Sequence, residues 1–322
     1  MKKKVVPVVF ATDENYVVPT YVAAYSMLKN ANQDFFLDIY IMIPDNMTEY
    51  AKMILLEVGK KFNNCKVNFL NMKNAFQNIE MQISYITPAT YYRLLLPELL
   101  PQYEKCLYLD SDIIVVDNIV TMFECQESDV YLTGVIAGNP ALSSLKGEAR
   151  SQHSKRLEID TIDKYVNAGV LVFNLNLMRK DQLVRRFMEK VPLKFPYQDQ
   201  DILNSVCYGK IQYADRRYNV CPLNRLNTNN VLKLTEREID TIISAYEKPA
   251  IVHYAQPQKP WLGRSFPMAS YWWEYYDEID PKFRKEYLNA FIRKNRKNAV
   301  KVRIKHSKIV MGTWKMLRKI IK

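Results

Sequence analysis

Asp110 and Asp112 lie one residue apart in LYLDSDIIV, residues 107–115, between the apolar runs Leu107-Tyr108-Leu109 and Ile113-Ile114-Val115. Unpaired charge is costly among apolar neighbours, so the two acids call for a cation. Three chemistries suit them. The plainest is a polar turn at a strand end, since Asp and Ser favour turns. The second is a divalent-metal site, in which hard carboxylate oxygens hold Mg²⁺ or Mn²⁺ and the ion neutralises a diphosphate. The third is a phosphoaspartate phosphatase, whose first Asp attacks phosphate while the second handles protons. Against the third, the pair stands well inside the chain rather than after its first strand, and no Gly-Asp follows to complete the metal site.

Other phosphate-binding devices are absent from the sequence. All eight glycines are isolated, with no GxxxxGK[ST], no GxGxxG and no G-x-S-x-G elbow. A nucleotide would have to be held by metal and side chains.

The elements that must position these acids alternate. Val5–Phe10 reads as a buried first strand ending at Ala11-Thr12-Asp13, and Tyr16–Ala31 as a helix with Pro19 near its start. Phe35–Ile43, Val67–Leu70, Cys106–Leu109, Val130–Ala137, Val166–Leu175 and Ala250–Tyr254 read as strands. Thr48–Phe62, Thr87–Leu99, Asn176–Lys190 and Gln200–Tyr208 read as helices. This order predicts an α/β fold around a mostly parallel sheet, with ligands beyond the carboxyl ends of the strands. Asp13, Asp110 and His253 each follow such a strand. Residues 138–164 are polar and poor in apolar anchors, and read as a long loop.

The chain has 322 residues, 48% of them hydrophobic, enough for one large core or two small ones. The first residues read as a strand rather than a signal peptide, because their apolar part is short and contains Pro7. Five scattered cysteines without a CxxC spacing fit reduced thiols in a cytosol. Of the net charge of +12, residues 282–322 account for the excess, with 15 Lys and Arg against one acid, Glu286.

Six stretches, in order and in spacing, resemble the retaining glycosyltransferases of family 8: VVFATDENY (8–16), TYYRLLLP (90–97), LYLDSD (107–112), YVNAGVLVFNL (165–175), YQDQDILN (197–204) and VHYAQPQKPW (252–261). The resemblance implies a single GT-A (Rossmann-like) domain over residues 1–265 with a mixed, mostly parallel sheet. It implies a UDP-sugar donor, UDP-galactose or UDP-glucose, and Mn²⁺, with Mg²⁺ as the alternate ion. By that resemblance Asp110, Asp112 and His253 hold the metal. Ala11, Asp13, Asn15 and Tyr16 hold uracil and ribose, Ser111 contacts ribose, and Lys259 contacts the diphosphate. Arg93 and Asn167 lie near the donor sugar beside Ala168, Asp199 binds sugar hydroxyls and Gln200 sits near the anomeric carbon. Taken alone, Asp13-Glu14-Asn15 is also a helix-capping cluster, and Arg93 also suits a surface position.

Two positions depart from the family pattern. Gln256 stands where the late HxxGxxKPW motif has its glycine, and Ala137-Gly138-Asn139 stands where some relatives place an Asp.

In residues 303–322, Val310, Trp314, Leu317 and Ile321 recur on one helical face, opposite Lys308, Lys315, Arg318, Lys319 and Lys322. Residues 266–322 thus read as a helical basic segment that docks on an anionic membrane, in preference to nucleic acid. Together these features predict a cytoplasmic, peripherally membrane-bound hexosyltransferase acting on a lipid-linked glycan of a bacterial surface polymer such as lipopolysaccharide. A phosphatase, and a non-enzymatic basic adaptor for membrane or nucleic acid, are the alternatives.

Overall fold

The computed structural model describes residues 3–73, 75, 76, 78, 87–137, 147–222 and 235–296. The expected amphipathic stretch 303–322 lies outside the described residues, as does the departure at Gly138-Asn139. The chain forms two compact units, Met1–Pro257 and Gln258–Lys322.

The first unit is built on a seven-stranded sheet: β1 (Lys4–Ala11), β2 (Phe35–Ile43), β3 (Cys65–Asn71), β4 (Cys106–Leu109), β6 (Leu132–Ile136), β7 (Val166–Phe173) and β8 (Ile211–Tyr213), in the order β3-β2-β1-β4-β7-β6-β8. Strands β3, β2, β1 and β4 are mutually parallel, and β7 runs antiparallel to both of its neighbours. The central strands are unbroken apolar runs because helices cover both faces of such a sheet. Pro7 is tolerated in β1 because the ladder to β4 starts only at Val8.

The reversal of β7 has a chemical consequence. A parallel strand brings its carboxyl end to the ligand-binding edge, and a reversed strand brings its beginning there. Asn167-Ala168-Gly169 therefore opens β7 beside the end of β4, and the Asp110 amide donates to the Gly169 carbonyl at 2.7 Å.

A second, two-stranded sheet pairs β5 (Ile113–Val115) with β9 (Ile251–His253), antiparallel, with Ile113 opposite His253. Asp110-Ser111-Asp112 is the turn that carries the chain from the large sheet to the small one. His253 thus belongs to the return strand of the small sheet, not to the main sheet as the strand alternation suggested. The Tyr254 amide, which donates to the Asp112 carbonyl at 2.9 Å, fastens that strand to the turn.

Three expected elements differ. The stretch read as one helix over 87–99 is a 3₁₀ helix, Pro88–Leu95, followed by one turn of α-helix, Leu96–Leu99. Pro97 supplies no N–H there, and the Leu96 amide closes the tighter bond to the Arg93 carbonyl. The helix read over 176–190 is two, Leu175–Lys180 and Leu183–Lys190, parted at Gln182, whose φ of 53° is left-handed. The polar stretch read as a loop holds a helix over Gly147–Leu157. Its inner face is His153, Ser154 and Leu157, all buried, and two of those three are polar.

The second unit opens with Lys259 ahead of a short 3₁₀ turn, Pro260–Leu262, and continues into the helix Ala269–Glu278. Trp272 packs on Trp273 and Tyr276 with ring centroids 4.9 and 5.0 Å apart, and the Trp273 indole donates to the Pro260 carbonyl at 3.0 Å. Among the described residues no helix is long and apolar enough to cross a membrane.

Candidate active site

The cation beside Asp110, the first acid of the pair, is Arg93. Its guanidinium is buried and bonds in several directions. Nη2 donates to Asp110 Oδ1 at 2.9 Å, Nε lies 3.0 Å from Asp199 Oδ2 and donates to the Thr90 carbonyl, and Nη1 donates to the Ala168 carbonyl. The plane stacks 4.2 Å from the Tyr108 ring centroid. Burial works against its charge, but Asp110 and Asp199 more than compensate and hold the proton firmly. The surface position is excluded.

Asp110 divides its two oxygens. Oδ1 accepts from Arg93 and from the Tyr108 hydroxyl, the latter at 2.9 Å. Oδ2 faces His253 Nε2 at 3.7 Å, and Asp112 Oδ1 lies 3.3 Å from the same nitrogen. One donor atom from each of Asp110, Asp112 and His253 falls within 4.8 Å of the others. These three could hold one divalent ion between them. Two carboxylates and one imidazole suit Mn²⁺ and Mg²⁺ better than soft metals. The carboxylates also act on the histidine. Burial opposes its positive charge, but Asp112 and then the Cys221 side chain together outweigh burial and lift His253 to about 10.

Space at this spot is reserved by Gly169. A Cβ there would lie 2.3 Å from His253 Cε1 and 2.5 Å from Asp110 Oδ2. The β7 backbone forms the floor of the cluster, and only a hydrogen side chain leaves the donors room.

On the other side of Arg93 stands the helix Gln198–Val206, entered through Gln198 at a left-handed φ of 54°. Asp199 Oδ1 accepts from the Thr90 hydroxyl at 2.7 Å while Oδ2 faces Arg93. Burial raises the Asp199 carboxyl to about 6, with Arg93 restraining the rise. Gln200 Oε1 accepts from the Ala168 amide at 3.0 Å and from Asn167 Nδ2 at 3.2 Å, and its Nε2 donates to the Tyr165 hydroxyl. Asp201 is fully buried, accepting from the Tyr165 hydroxyl at 2.7 Å and the Tyr197 amide at 2.8 Å, with His153 Nε2 at 3.1 Å. The acids of this helix start are bound to neighbours rather than presented to solvent.

The residues resembling a nucleoside site gather at the end of β1. The Asp13 carboxylate accepts from the Asn15 amide at 2.8 Å, closing a tight turn, and Tyr16 stands at the N-cap of α1 (Val17–Asn30) with no side-chain cap. The helix-capping reading of Asp13-Glu14-Asn15 therefore fails: Glu14 reaches across to Thr48 instead. Ser111 donates to the Ala11 carbonyl at 2.8 Å and lies 2.8 Å from the Thr20 hydroxyl, which joins the acidic turn to β1 and α1. Gln256 donates to the Pro222 carbonyl at 3.5 Å. Lys259 lies in the second unit.

Sequence reasoning missed Thr90, Tyr165, Gly169 and Asn219. Asn219 Oδ1 lies 2.9 Å from His253 Nδ1, and its Nδ2 donates to Asn167 Oδ1 at 2.8 Å. Gly169 carried a readable signal as the glycine after Asn167-Ala168, and Thr90 and Tyr165 open two of the six quoted stretches.

Two outcomes follow from this geometry. Arg93→Ala leaves two carboxylates uncompensated and is expected to cost about 3–5 kcal/mol in urea unfolding. Arg93→Lys is expected to recover only part of that loss, since an ammonium cannot fork to both acids and the Ala168 carbonyl. Gly169→Ala is expected to cost about 1–3 kcal/mol by overpacking, and a crystal structure of that variant should show His253 displaced.

Comparison with known proteins gives the arrangement a family. The model described as "Glycosyl transferase family 8" matches residues 7–264. Glycosyltransferase GlyF of Streptococcus pneumoniae is 25% identical over 316 residues, 95% of this chain and 69% of that protein. A lipopolysaccharide 1,2-glucosyltransferase of Escherichia coli is 24% identical over 320 residues, 95% of this chain and 88% of that one. The crystal structure of the galactosyltransferase LgtC in complex with donor and acceptor sugar analogues superposes with a TM-score of 0.67 at 26% identity, over 87% of this chain and 99% of LgtC. The chain has a GT-A fold and belongs to glycosyltransferase family 8.

Proposed function

We propose that this protein is a metal-dependent retaining hexosyltransferase that moves galactose or glucose from its UDP-sugar to a glycan acceptor. The observation that carries the reading is the convergence of Asp110, Asp112 and His253 at the carboxyl end of β4, within a family-8 chain. These three side chains would hold Mn²⁺, with Mg²⁺ as the alternate ion. When bound, the ion would supply positive charge to the diphosphate and so ease departure of UDP. Ala11, Asp13, Asn15, Tyr16 and Ser111 would receive the nucleoside, and Lys259 the diphosphate. The family match leaves the phosphatase and adaptor alternatives without support.

Retention of configuration through a covalent intermediate needs a free carboxylate near the anomeric carbon. None stands ready at 199–201. Asp199 is held by Thr90 and Arg93, Asp201 by Tyr165, Tyr197 and His153, and Gln200 is an amide. The reading that fits is attack from the leaving-group face. The bond from the anomeric carbon to the β-phosphate oxygen breaks, and its electron pair stays on that oxygen. The acceptor hydroxyl oxygen bonds to the same face of the carbon and passes its proton to the departing phosphate. Gln200, its amide oxygen fixed by Ala168 and Asn167, would hold a fixed dipole beside the place where positive charge develops. Arg93 acts behind the site, holding Asp110 and Asp199 in place.

The acceptor is proposed to be a lipid-linked glycan of a bacterial surface polymer such as lipopolysaccharide. The enzyme would sit in the cytoplasm, on the inner face of the membrane. The relatives' names and the basic amphipathic sequence of residues 303–322 support this placement.

Calorimetry with UDP is expected to show binding that strengthens on adding Mn²⁺, and Asp110→Asn with Asp112→Asn should abolish the Mn²⁺ effect. Hydrolysis of UDP-galactose or UDP-glucose by the wild type should fall by at least about 10²-fold in that variant, the scale of losing a charge-stabilising group. A sugar adduct trapped on Asp199, Gln200 or Asp201 would overturn the leaving-group-face route. Deletion of residues 303–322 should abolish cosedimentation with phosphatidylglycerol vesicles while leaving UDP binding intact, and retained sedimentation would remove the tail from the argument.

A further inference from the structure

Two backbone amides at the start of β7 determine the orientation of every side-chain amide between Gln200 and His253. A backbone N–H only donates. The Ala168 amide meets Gln200 Oε1 at 3.0 Å and the Gly169 amide meets Asn167 Oδ1 at 2.9 Å, so both of these side-chain atoms are oxygens. Asn167 Nδ2 is then the arm that donates to Gln200 Oε1. Asn167 Oδ1 accepts a second bond, at 2.8 Å, and the group giving it must be the nitrogen of Asn219. With its nitrogen committed there, Asn219 turns its oxygen to His253 Nδ1 at 2.9 Å. An amide oxygen cannot donate, so Nδ1 carries the proton. The Cys221 thiol, 3.8 Å from the same oxygen, also donates to it. His253 is thereby obliged to present Nε2 to Asp110 and Asp112.

We propose that Asn219 is a positioning residue that couples the cation site to the sugar site. Its oxygen sets the ring plane of His253 by accepting from Nδ1. Its nitrogen ties that ring, through Asn167, to Gln200. The two ends of the reaction, diphosphate and anomeric carbon, then share one hydrogen-bonded support. Asn219 is buried and ends the 3₁₀ turn Arg216–Asn219, outside both sheets, where its own backbone is not a strand's to dictate. The proposal rests on the metal reading of Asp110, Asp112 and His253.

Two substitutions separate the two arms. Asn219→Asp keeps an oxygen toward His253 Nδ1 but sets its second oxygen against Asn167 Oδ1, which the Gly169 amide prevents from turning away. Asn219→Leu has similar size and removes both arms. Calorimetry with MnCl₂ in the presence of UDP is expected to show Asn219→Leu binding the ion about 10–100-fold more weakly, the usual loss for a group that orients a metal-bound histidine. Asn219→Asp should keep wild-type ion affinity yet lose about tenfold or more in kcat at saturating Mn²⁺ and donor, with KM little changed, as for a group acting in the transition state. Unchanged ion affinity in Asn219→Leu, or parallel loss of affinity and kcat in both variants, would overturn the proposal. Should the wild type take up no Mn²⁺, the metal reading fails, and the support is judged on the metal-free protein by proton NMR. There a slowly exchanging His253 Nδ1–H resonance is expected in the wild type and in Asn219→Asp and not in Asn219→Leu. Its persistence in Asn219→Leu would overturn the support as well.

Discussion

The guanidinium of Arg93 is the constraint on which the site depends. It lies among apolar residues and is surrounded by two carboxylates, two carbonyls and an aromatic face. An isolated charge at such depth is prohibitive, as are the two acids without it. Each charge makes the others tolerable, and the geometry that achieves this leaves little freedom. Only a planar fork can reach Asp110 in the turn after β4, Asp199 on the helix Gln198–Val206 and the carbonyl of Ala168 on β7 at once. The three elements are therefore registered to one another by a single side chain. Since a buried ion pair stabilises little relative to a well-packed apolar substitute, what it contributes here is placement.

The second constraint is topological. Parallel strands deliver only their carboxyl ends to the ligand edge, and a carboxyl end supplies few outward N–H groups. The reversed strand β7 changes that, because its first residues arrive at the same edge with amides available. Ala168 and Gly169 use theirs to orient Gln200 and Asn167. The same stretch of backbone must run directly beneath Asp110 and His253, which is why a glycine stands at 169. One reversed strand thus provides both the floor of the cation cluster and the donors that orient the amides beside it.

Much of this was legible in the residues. β4 and the buried part of β1 are apolar without alternation, as strands covered on both faces must be, and Asp110-Ser111-Asp112 stands out against them. The need for a cation near those acids was legible too, but not its identity, since Arg93 lies in a stretch whose 3₁₀ winding no α-helical spacing describes. His153 was hidden for a different reason. It packs a helix through polar contacts, to Asp201 above all, and a reading that counts apolar anchors sees only a polar loop. Asn219 leaves no trace in the sequence, because Tyr218-Asn219-Val220 matches no pattern and its partners lie far along the chain. Hydrogen-bond polarity passed from backbone to side chain is a property of the folded arrangement alone.

The distribution of hydrogen bonds bears on the kind of catalysis this scaffold supports. A nucleophile or general base must keep an unshared lone pair facing the substrate. Asp201 spends both oxygens on hydrogen bonds, Asp199 spends one on Thr90 and keeps the other buried beside Arg93, and Gln200 spends both ends of its amide. A site so committed moves little as charge develops, and fixed dipoles that need no reorganisation stabilise a transition state better than mobile ones. Asp110, Asp112 and His253 instead turn ligand atoms toward one another in a cluster that could hold an ion. On the proposed reading the work divides physically: a rigid amide and carboxylate frame would set where the sugar's positive charge appears, and a cation site would set where the leaving group's negative charge goes.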